Sequence, residues 1–302
     1  MRTRRRRRAL LAGVLLLALT VIGGTFPAGA QATGTSGPDV GTQAQDVNLW
    51  SSPGSIAYGD GHAIPLEGAR PAWYTNELRQ TVLATGGQPV MAPAQAPLPG
   101  TIGIRPGSWM IDPAGCTMNF IFRSGADLGI GTAGHCVSKG DSVVLLTLAP
   151  GGSNPVLVDI GPVVLSHDNG VGDDFALVRI RPQLHSWVDP TIAVVAGPCG
   201  AYSGSGPETV FHYGHGLGIG TGGTPRAGVA LTWKADAYGW DGAAIFGDSG
   251  SPVRIGTFPA AGNLTHLVVD TRWLPSFIAG TRIGKIEQIN GGWSLVSSSL
   301  CP

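Results

Sequence analysis

Ser142-Val143-Val144-Leu145-Leu146-Thr147 is followed by Val156-Leu157-Val158-Asp159-Ile160-Gly161-Pro162-Val163-Val164 and then by Phe175-Ala176-Leu177-Val178-Arg179-Ile180. Each run is short, rich in β-branched residues, and closed by Gly, Pro, Asp or Ser. Residues 108–111, 117–122 and 128–132 carry the same texture upstream. This is the pattern of antiparallel strands joined by turns, not of strands alternating with ten-residue helices. A second set follows at 191–195, 209–213, 226–233, 250–255, 264–269 and 277–283. With 48 glycines and 23 prolines, long uninterrupted helices are disfavoured. The expectation is an all-β body of two barrels, residues 101–188 and 189–302, joined near 183–198, with a ligand cleft between them.

Residues 31–100 are rich in Gly, Pro, Ala, Gln and Ser and read as an N-terminal extension, either a propeptide or an arm on the body. Residues 73–83 show helical periodicity; residues 64–73 carry apolar side chains suited to docking, with nothing that suggests chemistry. Residues 1–30 read as an export signal. Arg2 and the arginines from Arg4 to Arg8 precede an apolar run over 9–22, and Ala28-Gly29-Ala30 supplies a small-x-small cleavage site before Gln31. The run is shorter than the ~18–20 residues needed to cross hydrocarbon, so no membrane association is expected after cleavage.

Cleavage removes six arginines and no acid, leaving 13 basic against 19 acidic residues. A mildly acidic chain with three lysines is a poor phosphate-backbone binder, so nucleic acid is not an expected partner. Cys116, Cys136, Cys199 and Cys301 form no C-x-x-C pair, which argues against a zinc ribbon, and an exported chain oxidises them. Three pairings are open. Cys116 with Cys136 is preferred, because the bridge would staple neighbouring strands beside His135 and fix its imidazole; Cys199 with Cys301 then follows by elimination.

Three segments carry chemistry. Phe246-Gly247-Asp248-Ser249-Gly250-Ser251-Pro252 frees the space around a serine, and the amides of Gly247 and Ser249 are able to converge on one oxyanion. Asp248 behind that loop requires a cationic partner. Thr132-Ala133-Gly134-His135-Cys136 supplies a base. Gly172-Asp173-Asp174-Phe175-Ala176-Leu177 supplies a carboxylate at a loop-to-strand boundary, and Asp174 is preferred to Asp173 because it directly precedes the apolar run.

These segments, in the order His135, Asp174, Ser249 and spaced by 39 and then 75 residues, resemble the three signature segments of the chymotrypsin-like serine proteases, in particular the compact secreted bacterial members. The likeness covers roughly residues 107–292. It implies two antiparallel six-stranded barrels with a Ser-His-Asp triad in the cleft, an oxyanion hole at Gly247 and Ser249, and a primary pocket walled by Ala243, Ala244 and Phe246. Ala243 stands where trypsin-like members carry an aspartate, so an apolar or small side chain is the expected preference, unless a loop shift brings Asp241 into the pocket. No Ile-Val-Gly-Gly segment opens the body, so an internal arginine must serve Asp248, and Arg226 is the expected one. Ile245 stands in place of a frequent cysteine and Gly131 in place of a bulky residue, which together imply a looser pocket.

The activity implied is that of a secreted serine endopeptidase acting through an acyl-enzyme on peptide or protein substrates, free in the medium or retained at the cell envelope. No metal or organic cofactor is called for, and a monomer is the expected state. An esterase with the same triad, or a silent binding protein whose pocket the N-terminal extension has closed, are the alternatives. His212 and His215 lack a local third ligand. Trp233, Trp240, Trp273 and Trp293 read as packing or cleft rim rather than a carbohydrate platform. Asn263-Leu264-Thr265 is a glycosylation acceptor sequence only in a host that glycosylates exported chains; the signal and the compact body point to a bacterium.

Overall fold

A computed structural model describes residues 45–47, 61–216, 223–256, 258–269 and 277–301. The export signal, much of the extension before Gly61, and Trp273 lie outside the described residues. In chain order the first strands are β1 (Gln45–Val47), β2 (Gly61–Pro65), β3 (Val90–Met91), β4 (Trp109–Asp112), β5 (Cys116–Thr117), β6 (Ile121–Ser124), β7 (Asp127–Thr132), β8 (Ser142–Leu148), β9 (Pro155–Asp168) and β10 (Asp174–Arg179). They are followed by β11 (Glu208–Gly214), β12 (Thr224–Trp233), β13 (Ala237–Gly242), β14 (Pro252–Ile255), β15 (Ala260–Asn263), β16 (His266–Val269), β17 (Phe277–Thr281) and β18 (Ser294–Leu295). Among the described residues, two α-helices, α1 (Asn76–Ala84) and α2 (Ile283–Ile289), and two 3-10 segments, Gly134–Cys136 and Pro182–Trp187, complete the regular structure.

The continuous apolar run of β8 is explained by what covers it. Val143 and Leu145 enter one core with Ile130, Val158 and Val178. Val144 and Leu146 face the other way, into a layer built by Tyr74 and Val82 with Ile111 and Leu157. Successive residues of a strand point to opposite faces, so a strand covered on both sides must be apolar throughout. The outer layer belongs to the N-terminal extension: α1 starts at Thr75, whose hydroxyl accepts from the Leu78 amide at 3.3 Å, and β3 pairs with β9. Side chains of residues 73–96 therefore pack on the body.

The strand path differs from the expected barrels. One nine-stranded sheet runs β18-β6-β7-β10-β9-β8-β4-β5 with β3 beside β9; the other runs β1-β2-β16-β17-β13-β12-β11-β14-β15. One sheet curls into a half-barrel and the other stays open, in place of two six-stranded barrels. The reason is physical: apolar spacing reports strands, whereas closure depends on tilt and stagger between strands distant in sequence. Here the edge of β16 is occupied by β2, from the extension, and β6 takes β18, from the C-terminal end.

Local expectations also shift. Residues 191–195 form a turn rather than a strand, with Val194 at φ 64° and 74% exposed. The run 277–283 ends as a strand at Thr281 and continues as α2. Cys116 is bonded to Cys136 and Cys199 to Cys301. No helix among the described residues is long and apolar enough to cross a membrane.

Candidate active site

His135 sits in a single 3-10 turn, Gly134–Cys136, immediately after β7. Its position is set by Asp174, the first residue of β10, whose Oδ1 accepts from the amides of Gly134 and His135 at 2.5 and 3.1 Å. The other carboxylate oxygen lies 2.6 Å from His135 Nδ1. A carboxylate can only accept, so Nδ1 carries the proton and Nε2 is left with a free lone pair. Nε2 is 2.8 Å from Ser249 Oγ. The serine hydroxyl has a second acceptor, the Thr265 carbonyl at 3.0 Å.

Asp174 has no exposed surface and is held from behind by the second sheet. Its amide donates to Thr281 Oγ1, while its carbonyl accepts from Thr281 Oγ1 and Asn263 Nδ2. Asn263 is thus a buried bracket, and its glycosylation acceptor sequence is inaccessible in this fold. Burial by itself raises a carboxyl, but the His135 ring beside Asp174 overrides it and holds the group below its ordinary value. For His135, burial pulls downward and the Asp174 carboxylate pulls upward; with smaller help from Glu67 and Asp168, the net result lies above the ordinary 6.5. Asp173, the other acid of the pair, takes a hydrogen bond from Asn169 and lies near Lys285, away from the imidazole.

The loop that carries Ser249 is fixed by charge. Asp248 is fully buried, ion-paired with Arg226 Nη1 from β12, and accepts from the amides of Gly216 and Ile245 at 2.9 and 2.8 Å. Gly247 takes φ 101° and Gly250 φ 86°, values that L side chains rarely adopt. The amides of Gly247 and Ser249 converge on one point, and that point is occupied: both donate to the carbonyl of Leu66, at 2.7 and 3.3 Å.

The expected pocket wall is only partly assembled. Ala244 packs with Leu66, Val210 and Trp240, but Ala243 and Phe246 are exposed, and the Ala243 carbonyl accepts from His212 Nε2 at 3.0 Å. Asp241 is exposed on β13, and Ile245 is exposed beside it in the loop. Nor is the space at Gly131 empty, because a side chain there would meet Asn119 Oδ1 and the Phe175 ring. The vacancy read from the sequence at Gly131 is filled by neighbours. Trp240 and Trp233 both stack on Tyr238 as packing, and Trp293 joins the core between the sheets.

Sequence reasoning missed Leu66, Thr265 and His266. His266 packs edge-on against His135, with Nδ1 on Thr265 Oγ1 at 2.8 Å and 3.6 Å from Asp174; burial holds its pKa down at about 4. Burial lowers His212 as well, and brings His215, stacked on Trp109, to about 3. No pattern in sequence marks these groups, since each owes its position to pairing between distant strands. Among the described residues, two groups bring metal-ligating atoms together. In one, the sulfurs of Cys116 and Cys136 are bonded to each other and are not thiolates; in the other, His135, Asp174 and His266 already spend their inward atoms on mutual contacts and on Thr265.

No protein-family model matches the chain, and no curated protein does. The chain resembles the bacterial chymotrypsin-like serine proteases, and such enzymes are among the solved structures similar to it. Protease A of Thermobifida fusca is 23% identical, covering 65% of this chain and 98% of its own, with a TM-score of 0.47. A glutamic acid-specific serine protease described as using a histidine triad in substrate binding is 15% identical, over 64% of this chain and 100% of its own, also at 0.47. Cellulomonas bogoriensis chymotrypsin is 18% identical, over 65% and 98%, at 0.44.

Proposed function

We propose that the chain is a serine endopeptidase in which Ser249 is the nucleophile, His135 the general base and Asp174 the group that orients and steadies the imidazole. One observation carries this reading: a continuous line of contacts from Asp174 through His135 to Ser249, at 2.6 and 2.8 Å, beside two amides aimed at one carbonyl oxygen. Ser249 attacks the substrate carbonyl while His135 takes its proton. The amides of Gly247 and Ser249 hold the oxyanion, and His135 returns the proton to the leaving nitrogen. Water then repeats the sequence on the acyl-enzyme. Asp248 and Arg226 keep the two amides in register. The raised His135 suits a base that must take and return a proton near neutral pH.

In this reading the substrates are extended peptides or proteins met after export, and the chain needs no cofactor for any step. Ser249→Ala is the test, assayed with a peptide library and a fluorophosphonate probe. Loss of labelling and a fall of ~10⁴-fold or more in turnover are expected; full activity in that variant would refute the assignment. Parallel ester substrates address the esterase reading. The alternative of a silent binding protein draws support from the occupied cleft, and it requires that no form of the chain reacts with the probe.

A further inference from the structure

The segment before α1 lies across Ser249 in the manner of a bound peptide. β2 pairs antiparallel with β16 in the register His266 to Pro65, Leu267 to Ile64 and Val268 to Ala63. The ladder continues at Leu66, whose amide donates to the Thr265 carbonyl at 3.1 Å and whose carbonyl takes both convergent amides. Beyond it, Gly68 and Gly115 exchange two backbone bonds of 2.7 and 2.8 Å. The Leu66 carbonyl is therefore gripped on both sides. Its side chain is 1% exposed, packed with Val210, Trp240, Val253 and Ala244. A side chain at Gly68 would meet the Gly115 oxygen at 2.8 Å and Gly247 at 3.2 Å, and one at Gly115 would meet the Ala69 oxygen at 2.6 Å. Two glycines face each other where only bare backbone fits.

We propose that Leu66–Glu67 is the bond at which this chain cleaves itself, and that residues 61–66 block the site until they leave. The inference rests on the reading of Ser249 as a nucleophile and deepens it, because it names the substrate: an extended strand with a leucine-sized apolar residue on the acyl side. Ser249 Oγ bonds to the Leu66 carbonyl carbon, and its proton passes to His135. The bond from that carbon to the Glu67 nitrogen breaks, and His135 gives its proton to the departing amine. Water hydrolyses the ester, leaving a Leu66 carboxylate and a free Ser249. The two fragments are held unequally. From Glu67 onward the chain keeps the Gly68 pairing with Gly115, the ion pairs of Arg70 and Arg79 with Asp112 at 2.9 and 2.8 Å, and the packing of α1. Among the described residues, the upstream fragment keeps the pairing of β2 with β1 and β16, the buried Ala63 against Val268 and Ala279, and the Leu66 side chain in the pocket, with no ion pair.

The full chain, Ser249→Ala, Leu66→Asp, Gly68→Val and Glu67→Pro are compared by intact mass, N-terminal sequencing and fluorophosphonate labelling. The full chain is expected to yield a fragment beginning at Glu67, at a rate independent of its concentration, while Ser249→Ala stays whole. Glu67→Pro, with a ring crowding the leaving nitrogen, keeps the segment seated and uncut. Leu66→Asp and Gly68→Val dislodge the segment by different means, guarding against one of them failing to fold. Either should label about tenfold or more faster than Glu67→Pro, the equivalent of one or two backbone hydrogen bonds. A full chain that labels and digests peptides while its Leu66–Glu67 bond stays intact, or that is cut at a rate rising with concentration, overturns the inference and leaves the reading of Ser249 standing. A chain that labels in none of these forms overturns both.

Discussion

Replacing Arg226 by alanine would strip the only cationic partner that a carboxylate with no exposed surface has among the described residues. Asp248 would be left with the Gly216 and Ile245 amides alone. Removing one member of a buried ion pair costs about 3–5 kcal/mol, since the remaining charge stays desolvated. For a chain of this size each kcal/mol moves Tm by roughly 2–4 °C, so a fall on the order of 10 °C is expected. The same carboxylate anchors the loop that carries Gly247, and under the proposed mechanism misdirecting that oxyanion donor costs about 10²–10³ in kcat. Urea unfolding and burst titration with an active-site acylating ester, run on the same preparations, separate the two losses. A double variant, Arg226→Met with Asp248→Asn, removes both charges and should recover most of the stability with little of the rate. A loss below about 1 kcal/mol in Arg226→Ala, the range of exposed pairs, would refute the argument that this pair is desolvated.

The proposed mechanism requires a neutral His135 to accept the serine proton, and its folded pKa is raised, so the acidic limb of kcat/KM should have its midpoint above 6.5; a midpoint well below 6 would show that Asp174 does not dominate its surroundings. His266 is shifted the other way, from 6.5 to about 4, so the unfolded chain binds the proton first and stability falls as pH drops from 6.5 toward 4. That window is worth about 3 kcal/mol, and in the uncleavable Ser249→Ala background His266→Gln should flatten the urea midpoint across it. Among the bridges, Cys199–Cys301 spans 102 residues and Cys116–Cys136 spans 20. Chain entropy therefore assigns the larger loss, about 4–5 kcal/mol against about 3, to the Cys199→Ser, Cys301→Ser variant, read as the difference in urea midpoint.

Much of the candidate site was legible because the groups brought together around His135 lie in short, locally defined segments. Glycines flank Ser249, a cysteine follows His135, and Asp174 opens an apolar strand; each reports a local backbone need that sequence displays directly. The surroundings were less legible. Asn263, Thr281 and His266 reach Asp174 only because β15, β16 and β17 lie behind β10, and residues 191–195 carry strand-like side chains through a turn with Val194 in the left-handed region. Gly131 shows the same limit in reverse, since a missing side chain read as looseness is filled by Asn119 and Phe175.

Composition and the three motifs by themselves determined that this is a β-rich chain with an imidazole, an acid and a hydroxyl in an order suited to acyl transfer. They act through local propensity and local turn geometry, and these are written residue by residue. Only the tertiary structure decided that the sheets do not close as two barrels, and that residues 61–66 occupy the edge of β16 with the Leu66 carbonyl on the two amides. An unpaired strand edge accepts any extended segment that reaches it, so its occupant is set by register and packing across some two hundred residues of intervening chain.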